Sequence, residues 1–261
     1  MKFSACIPIG TEGERFPIMN KLGFKYAEPA FSAMYGATEE QINDFLAAMK
    51  EYDIACPTAN GMFIEEVKLL EGKESYSKVG EYLDLVFSRA KKFGVEIGIL
   101  GSGSARKIPE GMSKEEADER FCALLTDVVS PYAKKYDIMV GIEELRAQEC
   151  NYINNCREAM EIIRAVDRPN IKLLVDYFHA ILGGDTLEQI ATYKDDIVHV
   201  HLASPINERS VPRENDLNDC REFFKMLKNI GYNGVVSLEG RYYNDFESDI
   251  TLAIDVMNRA L

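Results

Sequence analysis

Four acidic or imidazole side chains of this chain each lie at the C-terminal end of a short apolar run. The intervals between them are 33, 25 and 38 residues. The four residues are Glu143, Asp176, His201 and Glu239. Three carboxylates and one imidazole suit a hard or borderline divalent cation such as Mn²⁺ or Mg²⁺. The residue types therefore predict one divalent metal site.

Other polar side chains lie next to these candidate ligands. Glu144 should point to the opposite face of its strand, where we expect a structural role such as a salt bridge. Asp176 and His179 form a D-x-x-H sequence, which on its own is more typical of an N-cap and a packed histidine. His199 and His201 share one face of a strand. We expect His201, which is nearer the strand end, to be the ligand and His199 to support it or pack in the core.

The small number of histidines limits the chemistry that the chain can perform. His179, His199 and His201 are the only three, so a multinuclear zinc site rich in histidine cannot be built. The sequence also has no G-x-S-x-G, Walker A or H-E-x-x-H motif. These absences leave the carboxylate-rich site as the best candidate for function.

Composition and charge exclude further classes of protein. The net charge is −13, which argues against nucleic-acid binding because phosphate neutralisation needs a basic surface. The N-terminus lacks the apolar stretch of a signal peptide, and no apolar run is long enough to span a membrane. Six cysteines without C-x-x-C spacing indicate buried free thiols in a reducing cytosol, with a Cys150–Cys156 pair as the weaker alternative. We therefore expect a cytoplasmic protein.

The elements that position the candidate ligands alternate regularly along the chain. Eight apolar runs are separated by amphipathic segments, and about 31 residues for each strand–helix unit is the spacing of a (β/α)8 barrel of about 250 residues. Thr38 and Ser113 are predicted to begin two of the helices, the second ending near Lys135. No Pro/Gly-rich linker interrupts the pattern, which predicts a single domain over residues 1–261. The eight apolar runs are FSACIPIG, KYAEPAF, DIACPTA, VEIGILGSG, IMVGIEEL, IKLLVDYF, DIVHVHLA and GVVSLEG.

A doubly wound open sheet is the alternative architecture. Such sheets usually have fewer strands, and they place a glycine-rich phosphate turn after the first strand. The sequence at that position is IPIGTEGERF, which lacks this turn. The pattern therefore favours an α/β fold of one closed TIM barrel, whose chemistry lies at the C-terminal ends of the strands.

Several stretches together resemble a known superfamily. The chain resembles the xylose isomerase-like TIM barrels, and more closely their sugar phosphate isomerase/epimerase branch, which includes ketose 3-epimerases and hydroxypyruvate isomerases. The likeness covers most of the chain from the fourth strand onward. The stretches that carry it are GILGSGSARKIPEG, GIEELRAQECNYINN, LLVDYFHA, HVHLASPINERSVP and IGYNGVVSLEG.

The resemblance implies roles for individual residues. Glu143 and Glu239 match both metal ligands and the carboxylate pair that moves a proton on and off a carbon beside a carbonyl. Asp176 and His201 match the two remaining ligands of one divalent ion, with Mn²⁺ first and Mg²⁺, Co²⁺ or Zn²⁺ as alternatives. The positions that match substrate-binding residues are His179, Arg209, Glu149 and Arg106.

The implied activity is metal-assisted isomerisation or epimerisation of a sugar or sugar phosphate through an enediolate. Two departures concern the substrate end: Pro212 is followed by Arg213 rather than by the glycine of a P-G-x-G sequence, and the spacing from His201 to Arg209 is longer by two. Three alternatives stay open: an inosose-type dehydratase or other lyase, a deglycosylating subunit that works with a partner chain, and a non-catalytic sugar-binding barrel. A homo-oligomer, either dimer or tetramer, is compatible with the resemblance, whereas nucleic acid and membrane are not expected as partners.

Overall fold

The computed structural model describes residues 1–261, and its eight strands form one sheet of parallel strands. Seven strands lie within the apolar runs and β1 begins one residue before its run, so the predicted strand set is confirmed. The strands are β1 (Lys2–Cys6), β2 (Tyr26–Glu28), β3 (Thr58–Ala59), β4 (Ile97–Leu100), β5 (Met139–Glu143), β6 (Ile171–Asp176), β7 (Ile197–Leu202) and β8 (Val235–Leu238).

Helices follow the strands and cover the outside of the sheet. Thr38 caps α3 (Glu39–Glu51) and Ser113 caps α6 (Lys114–Leu124), as predicted. The Thr38 hydroxyl accepts a hydrogen bond from Gln41 N, and the Ser113 hydroxyl accepts one from Glu116 N. A π-helical turn, Leu125–Val129, joins α6 to α7. The helices are α1 (Glu12–Lys21), α2 (Phe31–Gly36), α3 (Glu39–Glu51), α4 (Tyr76–Lys92), α5 (Gly103–Arg106), α6 (Lys114–Leu124), α7 (Ser130–Lys135), α8 (Cys156–Val166), α9 (Tyr177–Leu182), α10 (Leu187–Ala191), α11 (Leu217–Asn229) and α12 (Phe246–Ala260).

The sheet curls until its two edge strands, β2 and β3, meet. The strand order is β2-β1-β8-β7-β6-β5-β4-β3. Isolated parallel bridges join Tyr26 to Ala55 and Ala30 to Asn60, and we call this place the β2–β3 seam. The fold is therefore a nearly closed TIM barrel, and the doubly wound alternative is wrong.

One hydrophobic cluster of 71 buried residues fills the space inside the barrel and between the barrel and the helices. All six cysteines are free. Four are buried as predicted, whereas Cys6 and Cys122 are half-buried, and Cys150 is not bridged to Cys156. None of the helices combines the length and the apolar character that crossing a bilayer requires.

The strand register brings polar side chains to one level at the C-terminal ends of the strands. Asp176 on β6 is the register partner of His201 on β7, and His201 is in turn paired with Ser237 on β8. On the other side of the ring, Cys6 on β1 is paired with Glu28 on β2. Because all eight strands are parallel, these positions face the same mouth of the barrel.

Candidate active site

The four candidate metal ligands lie together at the mouth of the barrel. One ligand atom from each of Glu143, Asp176, His201 and Glu239 lies within 4.8 Å of the other three. His201 Nδ1 is 3.3 Å from Glu143 Oε1, 3.2 Å from Glu239 Oε2 and 3.9 Å from Asp176 Oδ2. The structure thus brings together all four residues that the sequence singled out.

The donor set fits a divalent cation. Asp176 Oδ1 caps α9 by accepting hydrogen bonds from Phe178 N and His179 N, while Asp176 Oδ2 is buried without a hydrogen-bond partner. Burial raises the pKa of Asp176 to about 6; His179 and Arg209 oppose this shift, whereas the carboxylates of Glu239 and Glu143 add to it. A divalent cation would satisfy the free oxygen and offset the repulsion between these carboxylates.

Glu28 contacts the imidazole of His201 at Nε2, the ring nitrogen that faces away from the ligand cluster. Its side chain is fully buried, and its Oε1 lies 2.7 Å from His201 Nε2. Burial alone would raise the pKa of Glu28. The neighbouring His201 and His199 nevertheless lower this pKa well below its usual range. An ionised Glu28 accepts a hydrogen bond from Nε2 of His201. The other ring nitrogen, Nδ1, then faces the ligand cluster. The remaining donors to Glu28 are Cys6, Thr58, His199 and Ser237.

Sequence reasoning missed Glu28, although a signal for it was present. Glu28 lies inside the apolar run KYAEPAF and is the last residue of β2, so it too is an acid at a strand end, like Glu143 and Glu239. His199 was predicted to support the ligand His201 or to pack in the core. It supports His201 indirectly, because its Nε2 lies 2.8 Å from Oε2 of Glu28, whose other oxygen contacts His201. The grouping of Cys6, Glu28 and His201 is a second cluster of ligand-type atoms, but hydrogen bonds already occupy both oxygens of Glu28.

The two candidate catalytic glutamates have different electrostatic surroundings. Burial raises the pKa of Glu143, and the nearby Glu239 raises it further. Burial would also raise the pKa of Glu239, but His201 and Arg209 lower it to about 2. Two carboxyl groups whose pKa values are pushed apart are suited to opposite halves of a proton transfer.

Arg209 and Glu149 extend the site outward from the ligand cluster. Arg209 donates from Nη2 to Glu239 Oε2 at 2.9 Å and from Nη1 to Glu149 Oε2 at 3.0 Å. Its guanidinium carbon lies 5.4 Å from the centre of the Phe178 ring. Glu208 and Arg209 both have positive φ, 53° and 63°, so the loop after β7 holds this arginine in a backbone conformation that few non-glycine residues adopt. The structure thus places both predicted substrate contacts at the mouth.

His179 also faces the candidate site. Its Nδ1 accepts a hydrogen bond from Arg146 N at 3.2 Å, so Nε2 carries the proton of the neutral ring. Burial lowers the pKa of His179 and favours this neutral form. The Nε2 atom is buried without a hydrogen-bond partner and lies 3.9 Å from Glu149 Oε2. An unused N–H donor in this position suits a substrate oxygen.

Arg106 is not part of the mouth, which corrects the predicted substrate contact. Its side chain is fully buried and donates to the backbone carbonyls of Leu100 at 3.0 Å and Ile153 at 3.4 Å. The short helix α5 turns the guanidinium inward, where it ties the loop after β4 to the loop after β5. Because its hydrogen bonds go to these backbone carbonyls, the Arg106 side chain supports the loops rather than a substrate.

Glu144 has a structural role, as predicted, but it is not a salt bridge. Its side chain is fully buried, and Oε1 accepts a hydrogen bond from Asp176 N at 3.0 Å. Burial and the neighbouring Asp176 raise its pKa well above the usual range. Glu144 therefore helps to fix the backbone of one candidate ligand.

Comparisons with known proteins agree with this architecture. The family described as xylose isomerase-like TIM barrel matches residues 16–260. The 2-oxo-tetronate isomerase of Haemophilus influenzae is 27% identical over 87% of this chain and 86% of its own. The D-psicose 3-epimerase of Enterocloster bolteae is 22% identical over 85% of this chain and 74% of its own.

A solved structure shares the fold over the whole chain. The 3-keto-D-glucoside 4-epimerase of E. coli superposes with a TM-score of 0.82 at 19% identity, covering 100% of this chain and 98% of that protein. At this identity the likeness shows the fold, whereas the match over residues 16–260 shows the family. The chain belongs to the xylose isomerase-like TIM barrel family.

Proposed function

We propose that the protein is a metal-dependent sugar isomerase or epimerase that moves a proton at a carbon beside a carbonyl, through an enediolate. The observation that carries this proposal is the position of the Glu143 and Glu239 carboxylates, which both lie within 3.3 Å of His201 Nδ1. The named relatives, which are isomerases and epimerases, support the same reaction class.

Glu143, Asp176, His201 and Glu239 would hold one divalent cation. Mn²⁺ is the first choice because the set combines oxygen ligands with one imidazole, and Mg²⁺, Co²⁺ and Zn²⁺ are alternatives. When bound, the cation would polarise a substrate carbonyl and offset the negative charge of the enediolate. Glu28 accepts the hydrogen bond from Nε2 of His201, so a bound cation would take the place of the proton on Nδ1.

The two glutamates divide the proton transfer between them. The low pKa of Glu239 keeps this carboxylate ionised, so that it is available to accept the proton from carbon. The raised pKa of Glu143 suits a group that delivers a proton to the other face or to the neighbouring carbon. General acid–base catalysis of this kind contributes about 10²–10⁴-fold, so positioning and electrostatic stabilisation must supply the rest.

Three side chains at the mouth would orient the sugar. The free Nε2–H of His179 would donate to a substrate hydroxyl or carbonyl oxygen, and the carboxylate of Glu149 would accept from a hydroxyl. Arg209 would donate to paired oxygens, because its planar guanidinium presents parallel N–H groups. The face of Phe178 beneath this guanidinium limits how far the arginine can turn.

Solvent exchange tests the proposal before any product is identified. Ketoses, ketose phosphates and inososes are incubated with the Mn²⁺-loaded protein in D₂O, and loss of a C–H signal beside the carbonyl is followed by NMR. The expected result is exchange in at least one compound, and no exchange in a Glu143→Gln/Glu239→Gln double variant. Exchange accompanied by loss of water would indicate a lyase, and the absence of any exchange would favour a sugar-binding barrel.

A further inference from the structure

A cavity of about 870 Å³ lies beside the candidate site. It is lined mainly by the loops that follow β3, β4 and β5, for example by Glu65, Ser104 and Glu149, so it opens on the same face of the barrel as the site. None of the four candidate ligands lines it. Glu149 connects the two regions, because its carboxylate accepts from Arg209, which also donates to Glu239.

The charged side chains on the cavity wall do not form an anion site. Lys68 already pairs with Glu65 at 3.5 Å, and Arg120 pairs with Glu116 at 2.6 Å. Lys107 is the one cation of the lining that makes no ion pair. A phosphate dianion binds where several unneutralised cations or backbone N–H groups converge, and the wall does not offer such a cluster.

The wall instead combines hydrogen-bonding groups of both kinds with apolar surface. The carboxylates of Glu71 and Glu110 accept hydrogen bonds and would repel an anion. Ile108, Pro109 and Met112 contribute apolar surface beside them. Hydroxyl groups both donate and accept, and the C–H faces of a sugar ring pack on apolar side chains. The mixture is therefore complementary to a neutral polyol.

We propose that this cavity binds a second, uncharged sugar ring that is joined to the keto sugar, so that the substrate is a glycoside rather than a sugar phosphate. The inference rests on the proposed function for the reacting end, which would lie at the ligand cluster. The cavity is in the upper part of the range of about 300–1,000 Å³ of small-molecule sites. Contacts in it would raise kcat/KM by binding a part of the substrate remote from the reacting carbon.

The test compares ketoses that share one reacting end. D-Fructose, D-fructose 6-phosphate and glucosyl-fructoses linked at O4, O5 or O6 are assayed for exchange at C3 in D₂O with the Mn²⁺-loaded protein. Ser104→Trp places an indole in the cavity, since Ser104 is an exposed residue of its wall. Ser77→Trp is the matched control, because Ser77 is equally exposed on α4 and outside the cavity.

The expected result is a gain of about tenfold or more in kcat/KM for at least one glucosyl-fructose over fructose. Ser104→Trp should remove this gain without changing fructose exchange, and Ser77→Trp should keep it. A gain for fructose 6-phosphate alone, or no gain for any extended ketose, would overturn the proposal.

A second measurement separates this proposal from the proposed function. If no compound of the solvent-exchange screen exchanges, inososes included, the isomerase assignment fails, and the cavity is tested by binding alone. Saturation-transfer NMR should then show contact between the protein and the glucosyl protons of a glucosyl-fructose in the wild type, and Ser104→Trp should abolish it. Absence of that contact in the wild type would overturn the cavity proposal as well.

Discussion

Nε2 of His201 lies 2.7 Å from Oε1 of Glu28, and both side chains are fully buried. Burial alone would lower the pKa of His201, but Glu28 and Glu239 raise it well above the usual value. The hydrogen bond to Glu28 therefore fixes which ring nitrogen carries a proton when a cation replaces the proton on Nδ1. Glu28 would therefore influence the proposed metal site without being one of its proposed ligands.

Replacing Glu28 with Gln should weaken Mn²⁺ binding by about 10–100-fold, since orienting partners of metal-binding histidines contribute about that much. Titration calorimetry measures the affinity. Glu40→Gln is the control, because Glu40 is exposed in the first turn of α3. Unchanged affinity in a folded Glu28→Gln protein would show that Glu28 does not prepare the histidine.

Removing a proposed ligand should have a larger effect than removing its partner. Asp176→Asn and His201→Ala each delete one metal-binding atom, and we expect Mn²⁺ affinity to fall by orders of magnitude. Calorimetry again provides the measurement, with the exposed Asp127→Asn as the charge-matched control. Wild-type affinity in both ligand variants would remove these residues from the metal site.

The two glutamates should govern turnover more than substrate affinity. Glu143→Gln and Glu239→Gln keep the shape of the side chain but remove the proton acceptor, so kcat should fall by about 10²–10⁴-fold while KM changes little. Steady-state kinetics at saturating Mn²⁺ separates the two parameters. The variant that keeps the glutamate responsible for the first abstraction should retain half-reaction exchange, whereas normal turnover in both would contradict the mechanism.

Arg209 should contribute to substrate recognition. Loss of a hydrogen bond to a charged group costs about 1.5–3 kcal/mol, so Arg209→Ala should lower kcat/KM roughly 10–100-fold. Arg209→Lys should recover only part of the loss, because an ammonium lacks the paired N–H groups. Arg157→Ala, on the exposed face of α8, is the control. Unchanged kinetics in Arg209→Ala would place this arginine outside the substrate site.

Gly101 should be essential for the position of Glu143. A Cβ added at Gly101 would overlap the Glu143 carboxylate, so Gly101→Ala should displace this side chain and lower kcat by about 10²-fold, a typical effect of a shift of about 1 Å. Gly13→Ala is the matched control, since Gly13 lies in α1 with no atom near the added carbon. Equal kinetics for the two variants would show that Glu143 tolerates the shift.

The barrel and four of its mouth residues could be predicted because both depend on local sequence. Buried parallel strands appear as apolar runs, and a carboxylate or imidazole at the end of such a run is visible without knowledge of the fold. Glu143 and Asp176 were found in this way. The closed order of strands then placed them at one mouth.

Glu28 and Arg106 show why the rest could not be predicted. Strand β2 has only three residues, and Thr58, His199 and Ser237, which identify Glu28 as a site residue, come from three other strands. Arg106 follows a strand as expected, but the direction of its side chain depends on the turn of α5 and on the carbonyls of the neighbouring loop. The role of Glu28 and the direction of the Arg106 side chain thus both depend on contacts with other segments of the chain.

The β2–β3 seam supports two side chains of the proposed metal site. Thr58 donates to Glu28 across the seam at 2.6 Å, and Asn60 donates to Glu239 at 3.4 Å. A chain whose seam is open would lack both contacts, so Glu28, which accepts from His201, and Glu239 would each lose one hydrogen bond. Because a ligand that binds only the closed form stabilises that form by mass action, loading of the cation would follow ring closure and would select correctly closed molecules.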